Sequence, residues 1–282
     1  MNLGTLLEIV ASCAVLYGIV FLILISFQRR FVFQSHPVVL PPKRSDGFAP
    51  SRFVLITEDG ERLDALWAET RRRPLATILY LHGSATNLRY RAPRIEALTK
   101  LDFSVLAIDW RGFGRSTGTP SQTGLQSDAE AALDWLRRRG DLSRLVVLAE
   151  SLGTGFAIEL ATKHEVAALV LEAPFFSMLD LAQAYCPIFP IRRLLRDPIR
   201  SDLRIGEIHT NLLIQHGRRD RVVPFRQGER LFAIAPHPKR FIAYPRGGHN
   251  DLAEKHGSYL DLKAFVVECL SSESEGDIHR AV

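Results

Sequence analysis

Leu145-Val146-Val147-Leu148-Ala149-Glu150-Ser151-Leu152-Gly153-Thr154-Gly155 joins a β-rich apolar run to a glycine-bearing helix start, with one serine at the junction. The stretch departs by one residue from the pattern G-x-S-x-G, having alanine at the first glycine. That pattern sets a serine on a tight strand-to-helix turn that exposes its hydroxyl, and the flanking positions must be small for strand and helix to approach. One methyl group at Ala149 leaves the turn possible. A surface Ser-Leu-Gly turn reads the same way in isolation, so the surroundings decide.

Outward from this junction the chain alternates. Apolar runs at 77–81, 104–108, 145–149, 168–171, 212–215 and 240–244 are separated by amphipathic stretches at 92–101, 126–138, 153–164 and 227–234, with a last one at 259–270. Strand alternating with helix predicts an α/β fold with a mostly parallel, doubly wound sheet covered on both faces. Two further runs, 53–57 and 63–68, flank Asp59-Gly60 and predict a hairpin ahead of it. Chemistry in such sheets gathers beyond the carboxyl ends of the strands.

A serine hydroxyl is a poor nucleophile at neutral pH and needs a histidine base oriented by an acid. Seven histidines follow Ser151, at 164, 209, 216, 237, 249, 256 and 279. His249 is best placed, because Gly247-Gly248 gives its loop freedom after the last strand. His216 reads as a strand end, and His164 and His256 as helix ends. For the acid, Asp220 follows the 212–215 strand, Glu172 ends the preceding strand, and Asp251 is a third choice. The order Ser, Asp, His, each after its own strand, is more specific than any one motif.

With these residues in hand, the chain resembles the α/β-hydrolase superfamily and, within it, membrane-anchored serine hydrolases related to protein depalmitoylases and bacterial serine aminopeptidase-like proteins. The resemblance covers about 52–270. It rests on Leu81-His82-Gly83-Ser84-Ala85-Thr86-Asn87, on Asp109-Trp110-Arg111-Gly112-Phe113-Gly114-Arg115-Ser116-Thr117-Gly118, on the serine junction, and on the loops of Asp220 and His249. It implies Ser151, Asp220 and His249 as a catalytic triad, with the oxyanion held by the backbone N–H groups of Ser84 and Leu152. A helix N-terminus behind Leu152 supplies donors and a favourable dipole. Relatives often carry Gly-Asn where this chain has Gly83-Ser84. His82, Asp109 and Arg111 are expected to brace loops.

The amino-terminal stretch is read separately. Residues 9–27 form an uncharged run of 19, about 28 Å of helix at 1.5 Å per residue and close to the hydrocarbon thickness. A cleaved signal peptide is the rival, but it wants a basic n-region and a small-residue exit, whereas this run ends in Phe27-Gln28-Arg29-Arg30. We expect an anchor over 1–28, a linker over 29–50 on the strength of Pro37, Pro41, Pro42, Gly47 and Pro50, a hydrolase domain over 51–270, and a flexible tail over 271–282. Arg29, Arg30, Lys43 and Arg44 favour the cytoplasmic side for the domain.

The 35 residues of 174–208 exceed what a crossover needs, roughly 10–12, so a lid over Ser151 is expected there. Its apolar residues are interleaved with Arg192, Arg193, Arg196, Arg200 and Arg204, which fits packing with a solvated basic face or, alternatively, contact with an anionic leaflet. Overall, 36 Lys+Arg against 31 Asp+Glu give a net +5, scattered along the chain, so no nucleic-acid partner is expected. No metal motif is present, no cofactor is expected, and the three cysteines are too few for a disulfide framework. The expected activity is hydrolysis of a carboxylic ester or thioester through an acyl-enzyme, with a lipid or an acylated protein as substrate and the membrane as partner. A serine peptidase of the same fold and a non-catalytic membrane scaffold remain the alternatives.

Overall fold

The structure, a computed structural model, describes residues 2–35, 48–85, 87–140 and 142–280, with side chains described through 271. A long helix α1 (Leu3–Phe33) comes first, followed by the hairpin strands β1 (Ser51–Ile56) and β2 (Arg62–Ala68). Then come β3 (Ala76–Leu81), α2 (Leu88–Lys100), β4 (Phe103–Ile108), α3 (Gln122–Arg137), β5 (Leu145–Glu150), α4 (Leu152–Lys163) and β6 (Ala168–Glu172). Three short helices, α5 (Met178–Tyr185), α6 (Ile191–Leu194) and α7 (Ser201–Arg204), occupy the long segment before β7 (Asn211–Gly217). The chain closes with α8 (Phe225–Ile234), β8 (Lys239–Tyr244), α9 (Leu252–His256) and α10 (Ser258–Arg280).

All eight strands form one sheet in the order β1-β2-β4-β3-β5-β6-β7-β8. The β1, β2 and β4 pairings are antiparallel and every later pairing is parallel. Side-chain alternation divides the core in two. Leu79, Leu81, Val147, Ala149, Leu169 and Leu171 face α3 and α4, while Ile78, Tyr80, Val146, Leu148 and Val170 face α2 and α10. The central strands therefore read as unbroken apolar runs, because both faces are covered.

Caps settle the helix starts. Asn87 accepts the Arg89 N–H at 3.2 Å and Ser121 accepts the Gly124 N–H at 3.1 Å, so α2 and α3 begin four residues before the amphipathic pattern becomes visible. Pro93 cannot donate to the Arg89 carbonyl. The first turn of α2 is instead fastened by the Leu88 N–H on the Asp109 carboxylate, 2.7 Å.

The amino-terminal and carboxy-terminal boundaries differ from those expected. Helix α1 is long and apolar enough to cross a membrane, with a mean hydropathy of 2.6 in its best window, but it runs five residues past 28. Nothing between Arg29 and Phe33 breaks it, and Phe33 is fully buried in the domain core, so packing draws the helix onward. The linker prolines Pro37, Pro41 and Pro42, together with Gly47, Lys43 and Arg44, lie outside the described residues. At the other end α10 continues to Arg280 through most of the expected tail, since extending a packed helix requires no new nucleus.

Because Phe33 sits in the core, Phe33→Ala is expected to lower stability by about 3–5 kcal/mol. Denaturant unfolding of the detergent-solubilised chain measures it, and a change under about 1 kcal/mol would mean that α1 is only loosely joined to the domain.

Candidate active site

The turn between β5 and α4 holds Ser151 at φ 45° and ψ −113°, a conformation costing a non-glycine residue about 1–3 kcal/mol. Its neighbours impose it. The Ser151 N–H donates to the Glu172 carbonyl at 2.9 Å, and the Ser151 carbonyl accepts the Thr154 N–H at 3.0 Å and the Thr154 hydroxyl at 2.6 Å. A Cβ at Gly153 would stand 2.3 Å from the Leu81 carbonyl oxygen, so only glycine lets α4 approach β3 this closely. Ala149 is buried at the end of β5, where its methyl joins the core.

Strands β7 and β8 deliver the other two groups. Asp220 Oδ1 accepts the N–H groups of Val222 and Val223, both at 2.8 Å. Its Oδ2 lies 2.7 Å from His249 Nδ1 and 3.4 Å from His216 Nε2. The His249 loop is pinned to the end of β7, for the Arg219 N–H donates to the Gly247 carbonyl at 2.9 Å. Asp251, the third acid considered, closes that loop by accepting the Gly248 N–H at 2.7 Å. Burial pushes the Asp220 carboxyl up, but hydrogen bonds from His216, His249 and the Val223 N–H outweigh it and hold the group below the usual carboxylate range. With Nδ1 engaged by Asp220, His249 keeps Nε2 for a second partner.

Glu172, the alternative acid, points to the face covered by α2 and α10. There its carboxylate pairs with Arg94 at 2.6 Å, with the Ser258 hydroxyl at 3.5 Å. Arg94 also pairs with Glu150, which takes the Tyr80 hydroxyl at 2.8 Å and Arg91 at 3.0 Å. The Arg94 guanidinium lies 5.1 Å and 5.2 Å from the Tyr80 and Tyr259 ring centres. Sequence reasoning missed this buried cluster. Its signal was Glu150, a charge closing an apolar strand, together with two arginines one helical turn apart on α2.

The residues expected to brace loops are found bracing them. His82 is fully buried, 2.7 Å from the Gly83 carbonyl and 3.2 Å from Asp109. Arg111 spans Asp128 at 2.8 Å and Asp59 at 2.6 Å. His216 lies in β7, with Nε2 2.9 Å from the Val223 carbonyl, and was not foreseen as a second ring on Asp220.

Ser84, Ser151 and Leu152 open into a cavity of about 430 Å³, within the range of small-molecule sites. Phe175, Met178, Leu181 and Ile191 of the 174–208 segment line it, as do Leu24, Gln28, Phe31 and Val32 of α1 and Val223 beside Asp220. The segment therefore shares this cavity with the serine, and α1 adds a wall that sequence reasoning did not foresee. Leu152 opens α4, so its N–H lies outside the helical ladder and faces the serine end. A larger surface depression, about 660 Å³ around Glu69, Arg72 and Lys100, contains none of these residues.

Comparison with known proteins gives consistent likenesses. The family pattern described as alpha/beta hydrolase fold matches residues 76–194. The uncharacterized protein Rv2307c of Mycobacterium tuberculosis is 37% identical over 248 residues, covering 87% of this chain and 88% of its own length. Protein ABHD12B of Homo sapiens is 34% identical over 239 residues, covering 74% of this chain and 66% of its own. Among solved structures, the esterase Pf2001 of Pyrococcus furiosus superposes with a TM-score of 0.65 at 21% identity, over 84% of this chain and 98% of its own, a likeness of fold.

The depressed Asp220 group has a consequence in acid. Stability from its ionised form is fully present above the unfolded aspartate value, about 3.9, and is lost as the pH falls below that value toward the lower folded one. Asp220→Asn should therefore flatten the acid limb of a plot of stability against pH, measured by urea unfolding at stepped pH. An unchanged acid limb would detach Asp220 from its histidine partners.

Proposed function

This chain belongs to the alpha/beta-hydrolase superfamily, and from that premise we propose that it is a membrane-anchored serine hydrolase cleaving carboxylic esters or thioesters. The observation that carries the reading is the strained Ser151 at the mouth of the apolar cavity, with the Asp220–His249 pair held at 2.7 Å on neighbouring strand ends.

In this reading His249 Nε2 takes the Ser151 proton as Oγ attacks the substrate carbonyl carbon. The N–H groups of Ser84 and Leu152 receive the charge on the carbonyl oxygen. The tetrahedral adduct collapses by breaking the bond to the alcohol or thiol, which leaves with the proton from His249. Water, deprotonated by the same ring, then releases the acid and restores Ser151. Asp220 stays ionised throughout, fixing the tautomer and favouring the imidazolium. The membrane assignment is supported by α1, and the cytoplasmic placement of the domain by Arg29 and Arg30 after the span. Arg192, Arg193 and Arg196 are exposed on the segment beside α1, as an anionic leaflet would favour.

Ser151→Ala is expected to lower ester turnover by about 10⁶-fold. Asp220→Asn should lower it by about 10⁴-fold, through the wrong tautomer, with a far smaller effect from Glu172→Gln in protein that remains folded. Steady-state assays with p-nitrophenyl esters decide this: turnover retained by Ser151→Ala would overturn the serine as nucleophile, whereas a folded wild type without turnover would return the chain to the scaffold reading. The full chain is also expected to remain in the membrane pellet after carbonate washing, because burial of the apolar span outweighs ionic contact. Recovery in the soluble fraction with a new N-terminus near residue 30 would contradict anchoring.

A further inference from the structure

The lid and α1 are joined far more closely than a tether requires. Gln28 is nearly buried, its Oε1 accepting the Arg196 N–H at 2.7 Å and its Nε2 donating to the Leu194 carbonyl at 3.3 Å. Arg29 pairs with Asp197 at 2.8 Å, and Asp197 in turn accepts the Gln122 N–H at 2.8 Å, linking the helix through the lid to α3. Higher on the helix, the Tyr17 hydroxyl donates to the Ile188 carbonyl at 3.1 Å, and the Tyr17 ring stacks on Phe189 with centres 4.8 Å apart.

The depth of that contact is informative. Tyr17 lies ten residues before Phe27, about 15 Å along the helix and well inside the apolar run. The lid tip therefore sits at hydrocarbon depth when α1 spans a bilayer. Two features suit that position: Ile188 is 71% exposed, and the Tyr17 hydroxyl has a carbonyl partner, as a polar group surrounded by lipid needs.

The cavity follows the same seam. Leu24, Gln28, Ile191 and Leu195 line both the chamber that holds Ser151 and a second void of about 30 Å³ nearer the amino end of α1, which Phe21, Ile25 and Leu194 complete. The two voids thus lie in succession along the seam between α1 and α6, with apolar side chains forming most of the wall they share.

We propose that α1 is a substrate-binding wall as well as an anchor: the acyl chain of a membrane-resident long-chain ester or thioester passes from the leaflet along the α1–α6 seam, and Leu24 sets how much of it fits. This inference rests on the serine-hydrolase reading. Burying an acyl chain in the seam replaces lipid contacts with protein contacts, so the chain enters without crossing water. Substrates with short chains gain nothing from the seam.

The test uses the full chain reconstituted in phosphatidylcholine vesicles, with p-nitrophenyl palmitate in the bilayer and p-nitrophenyl butyrate in the water. Leu24→Trp narrows the seam, Leu24→Phe does so more mildly, and Leu16→Trp adds the same bulk at a position 62% exposed and outside the cavity. The ratio of kcat/KM for palmitate to that for butyrate is expected to fall about tenfold or more in Leu24→Trp, the scale on which apolar pockets discriminate. It should fall less in Leu24→Phe and stay at the wild-type value in Leu16→Trp. Fluorophosphonate labelling of Ser151 is followed in parallel, and Leu24→Phe carries the comparison if Leu24→Trp does not label. A ratio unmoved in labelling-competent Leu24 variants, an equal drop in Leu16→Trp, or a wild type that cleaves butyrate and ignores palmitate would each overturn the inference while leaving the hydrolase reading intact. A wild type that neither labels nor cleaves either ester would remove the hydrolase reading itself.

Discussion

The site depends on one residue held where an L-amino acid resists being held. Ser151 is a non-glycine residue at φ 45°, and such strain persists only when the surroundings over-determine it. Here they do so from three directions. Strand β6 takes the serine N–H on the Glu172 carbonyl, Thr154 caps the serine carbonyl from within α4, and Gly153 lets the helix press against the Leu81 carbonyl. The sheet must therefore be complete on both sides of β5 before the hydroxyl stands clear of the turn. Rigid strands set the position and short loops set the chemistry.

Two sets of charges do different work around the strand ends. Beneath the sheet, Glu150, Glu172, Arg91 and Arg94 neutralise one another among Tyr80 and Tyr259, tying α2 to the ends of β5 and β6. Buried pairs of this kind add little net stability, yet losing one partner leaves a costly orphan charge. At the carboxyl ends of β7 and β8, Asp220 is ionised, buried and surrounded by donors, two of them ring nitrogens. The two carboxylates that the sequence ranked first and second, Asp220 and Glu172, are told apart by their partners, imidazole and backbone N–H groups for Asp220 and an arginine for Glu172.

The sheet was legible because burial on both faces writes each central strand as an apolar run, and amphipathic helices mark the gaps. The serine junction was legible for a local reason, since strand, turn and helix are contiguous in the chain. Helix starts were obscured because Asn87 and Ser121 act through single capping bonds that leave no periodicity. The contacts between α1 and the lid were not legible at all. Gln28 and Arg196 are 168 residues apart, and an apolar span looks the same whether it floats in lipid or walls a cavity. That Phe33 belongs to the domain core is likewise a tertiary fact that no local pattern carries.

The central claim is that Ser151, on the wall of a cavity shared with helix α1, becomes acylated. Mass-spectrometric mapping of the full chain after reaction with an alkyl fluorophosphonate tests it most directly. The account predicts a single covalent adduct on the peptide carrying Ser151, slowed when a long-chain ester is present in the vesicle. An unmodified Ser151 in folded protein, or an adduct on another residue, would contradict it.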